Sequence, residues 1–126
     1  MPMKNSNMLV METGISSSHE DFDVWATLVS GFDAEKSLVI LYEYKTDYQD
    51  DKGNPRRRVK KVRAIIDKEE AFEMSKKLNV RMTELPSLLQ EKFREEDTFY
   101  PSDVEHLFKK VLEFVVDCGV HYRIER

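Results

Sequence analysis

The stretch SLVILYEYKTDYQDDKGNPRRRVKKVRAII, residues 37–66, decides the fold of this chain. One face of its first arm is made by the alternate residues Leu38, Ile40, Tyr42 and Tyr44. The residues between them form a second face that begins apolar and becomes polar. This pattern predicts a strand over 37–47 that is covered on both sides at its start and solvated on one side at its end.

The second arm predicts a partner strand over 56–66. Its face formed by Val62, Ala64 and Ile66 can meet Tyr44, Tyr42 and Ile40. For these faces to match, paired residue numbers must sum to an even value, which requires an odd number of loop residues, such as three centred on Lys52 or Gly53. Gly53 suits the positive φ of such a loop. Pro55, which lacks a ladder donor, fits the first position of the second strand.

The residues before this hairpin give weaker signals. Met8 to Met11 is predicted as a short edge strand, and TGISSSHED, residues 13–21, as a loop because of its composition. The segment 22–32 alternates as a strand does, but it also fits helical spacing with Ser17 and Glu20 as a capping box. Its β-branched and aromatic content favours the strand, and the helix stays open as the alternative.

Three helices are predicted after the hairpin. The first follows Asp67, the second starts near Thr83, and the third has Ser102 and Glu105 as a capping box and ends at Gly119. The third carries a continuous apolar stripe, formed by Val104, Leu107, Phe108, Val111, Leu112 and Val115. Alternation then predicts a last strand over 120–124. The expected fold is α+β: an antiparallel meander of three to five strands, including the C-terminal strand, packed on one face by three helices. Residues 1–7 are expected to be a loose segment and 8–126 a single domain.

Composition and charge restrict the class of protein. The 126 residues are 40% hydrophobic and 35% charged, with a net charge of −4. Residues 45–63 carry eight bases and three acids, a net charge of +5, so the remainder sums to −9 and the molecule is polarised. One cysteine, no apolar signal region and no apolar run of roughly 20 residues predict a cytoplasmic protein that does not span a membrane.

The bases of the hairpin are the first candidate site: Arg56, Arg57, Arg58, Lys60, Lys61 and Arg63. As a binding site they would track phosphates, with Tyr42, Tyr44 and Tyr48 adding stacking. The alternative is a solvated hairpin whose charges keep it from pairing with other edges. In that case Asp47 and Asp50 lie across the ladder from the arginines and partly neutralise them.

The junction of the first two helices, within residues 72–90, is the second candidate. SKKLNVRMTELPSLL, residues 75–89, resembles the core of a helix-turn-helix, with Asn79 at the turn. Pro86 departs from that pattern because it falls inside the second helix. The resemblance implies that four residues would face the DNA groove: Arg81, Thr83, Glu84 and Ser87.

Phe99 and Tyr100 are the third candidate, an aromatic pair between charged residues that is typical of an interface anchor or of a hydrophobic staple for the third helix.

The histidines lack ligand spacing, Cys118 is expected to be a buried inert thiol, and no catalytic or phosphate-loop motif is present. We therefore expect a non-enzymatic cytoplasmic protein-interaction or regulatory module without a cofactor. Its partner is expected to be another protein or a second copy of this chain. The alternative is a nucleic-acid-binding protein that uses the basic hairpin.

Overall fold

A computed structural model describes residues 9–18, 24–94 and 100–126. Within them lies an antiparallel sheet with strand order β1-β2-β3-β4-β5, accompanied by three α-helices. The elements are β1 Val10–Ser17, β2 Val24–Phe32, β3 Leu38–Gln49, β4 Pro55–Ile66, α1 Lys68–Leu78, α2 Leu85–Phe93, α3 Pro101–Asp117 and β5 Arg123–Glu125. A 3₁₀ turn, Met82–Glu84, precedes α2. The predicted α+β class is confirmed, and the C-terminal strand joins the sheet. The prediction for residues 1–7 lies outside the described residues.

The β3–β4 hairpin has the predicted parity. Leu38 lies opposite Ile66 and Tyr42 opposite Val62, so paired numbers sum to 104 and the hairpin is centred on Lys52. The partners are shifted by two residues from those the sequence suggested, since Val62 faces Tyr42 instead of Tyr44. The Asp50 N–H donates to the Asn54 carbonyl and the Gly53 N–H to the Asp50 carbonyl, with Gly53 at φ +81°. This is the three-residue hairpin loop with a glycine bulge.

The helices cover the face of the sheet to which the even-numbered residues of β2, β3 and β4 belong. Leu28, Ile40 and Ile66 are fully buried there against the α3 stripe, all six residues of which are buried as predicted. The segment 24–32 is a strand, which decides the ambiguity in favour of the preferred prediction; residues 22 and 23 lie outside the described part. On the opposite face a smaller cluster contains Val39, Leu41 and Ile65, so β3 starts covered on both sides as expected.

The loop prediction for residues 13–21 is wrong for Thr13 to Ser17, which belong to β1. Glycine and serines weaken local strand propensity, but β1 pairs with β2 through two irregular steps and buries Ile15. The Gln90 side-chain amide of α2 also donates to the Gly14 carbonyl at 2.9 Å. Tertiary pairing therefore outweighs local composition in this segment.

The predicted capping box of α3 is also wrong. The helix starts at Pro101, and the Tyr100 N–H donates to the Asp103 carboxylate at 2.8 Å, so the box lies two residues before Ser102 and Glu105. Proline is well suited to the first helical position, because its fixed φ is helical and its missing N–H would have no intrahelical acceptor. That preference moves the helix start toward the N-terminus.

The chain leaves α3 through Gly119, at φ +82°, and enters the short strand β5. The Lys77 ammonium donates to the Cys118 carbonyl at 2.7 Å, and Arg123 pairs with Asp67. β5 itself pairs only with residues 63–65 of β4. The remainder of the outer edge of β4, residues 55–62, has no strand beside it in the part of the chain that the structure describes.

Candidate functional site

Strand alternation divides the six predicted bases of the hairpin between two faces of the sheet. Arg56, Arg58 and Lys60 have even numbers and lie on the face that the helices cover further along the strands. The other three bases, Arg57, Lys61 and Arg63, lie on the opposite, outer face. The sequence suggested one basic patch, and the fold makes two surfaces of different character.

The outer face is largely neutralised. The Arg57 Nε lies 2.9 Å from an Asp47 carboxylate oxygen, which raises the pKa of the guanidinium through their hydrogen bond and their charges. The Lys61 ammonium lies 3.4 Å from Glu43, whose other oxygen is 3.7 Å from Lys45. Arg63 lies opposite Glu125 of β5. The pairing of these bases with acids fits the solvated-hairpin interpretation for this face.

On the same outer face, the Trp25 ring contacts two cations. The Arg57 guanidinium carbon lies 4.8 Å from the indole centre, and the Lys45 ammonium lies 5.9 Å from it. Such contacts stabilise cations over an aromatic face. The indole and Asp47 thus hold Arg57 from two sides.

The inner face keeps its positive charge. Arg58 stacks over Tyr48, with 5.1 Å between the guanidinium carbon and the ring centre, and Lys60 lies opposite Tyr44. Neither cation forms an ion pair with a residue of the described ranges. We call Tyr44, Tyr48, Arg58 and Lys60 the inner hairpin surface.

Arg56 differs from its two neighbours on that face, because its Nε lies 3.1 Å from Asp50. Asp50 also accepts the Lys52 and Asn54 N–H groups, each at 2.9 Å. The Asn54 N–H is the largest cause of the lowered pKa of this carboxyl. Asp50 therefore builds the turn as well as neutralising Arg56. An Asp before a three-residue loop ending in Gly is a recognisable turn signal, which the sequence reasoning assigned to charge alone.

Two clefts border the inner hairpin surface. One, of about 570 Å³, is lined among others by Lys60 and Val62 of β4 and by Tyr122 and Ile124 near β5. The other, of about 660 Å³, has Tyr100 on its wall. Tyr44 lines both. Tyr100 is 55% exposed. Because it lines this cleft together with Tyr44, this predicted residue lies close to the hairpin. Its predicted companion Phe99 lies outside the described residues.

Tyr42 forms the floor shared by the two clefts. It is 7% exposed and stacks on Phe108 of α3, with 5.7 Å between ring centres. Burial, the nearby carboxylate of Glu105 and Tyr44 raise the pKa of its hydroxyl to about 12. The ring pair closes the apolar core where the helices end and the open part of the hairpin begins.

Backbone geometry adds a further feature to the hairpin. Because the Asp50 N–H bonds to Asn54, the even-numbered pairs of β3 and β4 are the hydrogen-bonded ones. The odd-numbered residues Arg57, Val59 and Lys61 therefore turn their N–H and C=O groups to the outer edge of β4. Val59, at the centre of this edge, is 45% exposed.

The helix junction within 72–90 has Asn79 at its turn in the left-handed conformation, at φ +58°. The four positions named for DNA contact, Arg81, Thr83, Glu84 and Ser87, are exposed. Glu84 accepts the Arg81 N–H at 2.8 Å, and α2 buries Leu89 and Phe93 while Gln90 contacts β1. The exposed side of this region mixes acids and bases and offers a less positive surface than the hairpin.

Three further features concern Cys118, clusters of metal ligands and membrane-spanning helices. Cys118 is buried as expected, and burial raises the pKa of its thiol. Among the described residues there is no cluster of three potential metal ligands. None of the helices in that part of the chain combines the length and the apolar character needed to cross a membrane.

Comparison of the chain with protein-family models, with curated proteins and with solved structures finds no significant match. The sequence reasoning did not identify the clefts beside the hairpin or the residues Lys109, Tyr122 and Arg126 that contribute to one of them. They come from α3 and from the region of β5. The packing of α3 on the sheet brings Lys109 near Lys60, and the pairing of β5 with β4 brings Tyr122 and Arg126 there.

Proposed function

We propose that this protein is a non-enzymatic cytoplasmic protein-interaction module that binds a negatively charged protein partner through its inner hairpin surface. The observation that carries the proposal is the separation of charges by face. Asp47 and Glu43 neutralise bases of the outer face, whereas Arg58 and Lys60 have no ion-pair partner among the described residues and stand beside exposed Tyr48. Aromatic and arginine side chains next to a cleft are common anchors of protein interfaces.

The size of the charged area supports a protein partner over a nucleic acid. A protein that tracks a duplex typically neutralises about 6–10 phosphates. The inner hairpin surface offers two cations that have no ion-pair partner in the described part of the chain. The chain outside residues 45–63 carries a net charge of −9, which repels a polyanion. An interface with a few acidic side chains matches this charge distribution better.

A nucleic-acid-binding protein is the second candidate, and Tyr48 is the observation that favours it. Its ring is 41% exposed and carries Arg58 on one side, an arrangement on which a single-stranded base can stack. In this alternative Arg56 and the outer-face bases would exchange their carboxylate partners for phosphates.

Affinity capture from a lysate of the source cells, with and without nuclease, tests the proposal. The tagged wild-type chain is compared with the double variant Arg58→Glu/Lys60→Glu. The matched control is Lys36→Glu/Lys68→Glu, which makes the same change in net charge at exposed positions on the opposite end of the sheet. The proposal requires a partner that survives nuclease, is retained by the control and is lost with the hairpin variant.

Titration of labelled single-stranded and duplex oligonucleotides separates the second candidate from the first. Micromolar binding that weakens steeply with salt and disappears when Arg56, Arg57 and Arg58 become Ser would favour nucleic acid. Flat curves at low salt would eliminate it. Partners retained equally by the wild type and the hairpin variant would contradict both candidates, because neither would then use this surface.

A further inference from the structure

Within residues 9–18, 24–94 and 100–126, a neighbouring strand covers only part of the outer edge of β4. β5 occupies it only opposite residues 63–65, and the neighbouring residues 55–62 continue as a regular strand paired on one side with β3. Arg57, Val59 and Lys61 present their backbone donors and acceptors outward along this edge. An extended peptide can add to such an edge as a further strand, with main-chain hydrogen bonds supplying affinity.

A second copy of this chain is a poor occupant of the edge. In a symmetric antiparallel pair centred on Val59, Arg57 would face Lys61 of the other copy and Arg58 would face its Lys60. Like charges placed directly opposite one another on neighbouring strands are destabilising. The charges that exclude self-pairing are complementary to acidic side chains.

The side chains of the β4 edge define which residue types a bound peptide should carry at successive positions. A residue opposite Lys60 and a residue opposite Arg58 would lie on the inner face, where both cations lack an ion-pair partner in the described ranges. The residue between them would lie on the outer face opposite half-exposed Val59. The ligand should therefore carry acid, apolar, acid at three successive positions.

We propose that the β4 edge binds an extended acidic peptide segment as an added strand, with two alternate carboxylates facing Lys60 and Arg58 and an apolar side chain facing Val59. This inference rests on the proposed function and adds the class of partner to it. The added strand is antiparallel to β4, as β3 and β5 are, so the residue opposite Val59 exchanges both of its main-chain hydrogen bonds with Val59.

Fluorescence polarisation tests the proposal with a labelled peptide in which three glutamates alternate with two valines between terminal glycines. Saturable binding is expected, together with a loss of about tenfold or more for the variant Arg58→Glu/Lys60→Glu, because two facing charge pairs become repulsive. The control variant Lys36→Glu/Lys68→Glu should bind as the wild type does. A peptide of the same composition with its glutamates adjacent should bind more weakly, because alternation places both carboxylates on one face.

N-methylated peptides test strand addition itself. Methyl groups on both valine nitrogens remove the donors that point to the β4 edge, whereas methyl groups on the first two glutamate nitrogens lie on the far side of the added strand. The first peptide should lose binding and the second should keep it. This comparison alters only the ligand, so it does not depend on how a protein variant folds.

The outcomes separate this inference from the proposed function. If captured partners depend on Arg58 and Lys60 but the two methylated peptides bind equally, the added strand is refuted and the protein-binding surface stands. If neither capture nor peptide binding depends on these residues, both proposals fail. If an oligonucleotide binds more tightly than the alternating peptide and displaces it, the second candidate function replaces them.

Discussion

Raising the pH above 10 should weaken the fold in part through ionisation of the Tyr42 hydroxyl. Its hydroxyl has a pKa raised from 10.0 to about 12, with burial as the largest cause. The neutral form is therefore favoured in the folded state. Since the folded pKa is the higher one, the stability that Tyr42 contributes is complete below pH 10 and is lost as the pH rises from 10 to 12.

The expected loss follows from these two pKa values. At pH 11 the unfolded chain holds about ten ionised Tyr42 side chains for each neutral one, whereas the folded chain holds about one ionised for ten neutral. At pH 11 this difference in ionisation shifts the folding equilibrium toward the unfolded chain by about tenfold, which is about 1.4 kcal/mol of unfolding free energy. Above pH 12 the lost free energy of unfolding approaches about 2.7 kcal/mol. The Tyr42→Phe variant keeps the ring stacked on Phe108 and lacks the titrating group.

Urea unfolding followed by far-ultraviolet circular dichroism at pH 9 and pH 11 measures the effect for the wild type and for Tyr42→Phe. Other groups titrate in both proteins, so the difference between the two losses isolates Tyr42. The wild type should lose about 1.4 kcal/mol more than the variant between these two pH values. Equal losses would refute the claim that Tyr42 is held neutral by its buried position between the sheet and α3.

Three further results are expected from the structure. Leu28→Ala should lower the free energy of unfolding by about 2–5 kcal/mol in urea, because Leu28 is fully buried and its truncation leaves a cavity. Gly53→Ala should cost about 1 kcal/mol in the same assay, because alanine is strained at φ +81°, and Gly53→Asn should cost less since asparagine tolerates this region better. Arg57→Ala should leave the urea midpoint of unfolding almost unchanged, as for other exposed ion pairs. It should nevertheless shift the emission of Trp25, the single tryptophan, because the guanidinium lies 4.8 Å from the indole centre.

The elements that the sequence predicted are those in which a local pattern and the tertiary environment agree. The α3 stripe and the alternation of Leu38, Ile40 and Tyr42 each match one buried face. Hairpin parity followed from the same alternation. The alternation allowed the hairpin loop to be centred on either Lys52 or Gly53. Shifting the paired residues by two keeps the same faces together, so the local pattern does not distinguish the two registers. The hydrogen bonds around Asp50 select Lys52.

Local sequence does not predict a segment whose structure is decided by contacts distant along the chain. Thr13 to Ser17 have the composition of a loop, and it is β2 and the Gln90 amide that make them part of a strand. The candidate site was found only in part for the same reason. Counting bases over 56–63 located the hairpin. Which of those bases form ion pairs among the described residues depends on the positions of Asp47, Glu43 and Asp50.

The two interpretations of the basic hairpin, a binding surface and a solvated edge whose charges prevent pairing with other strands, are compatible. Charges on an exposed strand prevent association with other edges only when the approaching strand carries the same charge. The row from Arg56 to Lys61 thus rejects a second copy of itself and, by the same electrostatics, favours a strand with alternate carboxylates. In our proposal, replacing Arg58 and Lys60 by serine should have two effects: it should weaken binding of the acidic peptide and increase self-association at high protein concentration. Sedimentation velocity on that variant measures the second effect. A variant that loses the peptide but stays as monomeric as the wild type would show that the two cations do not protect the edge.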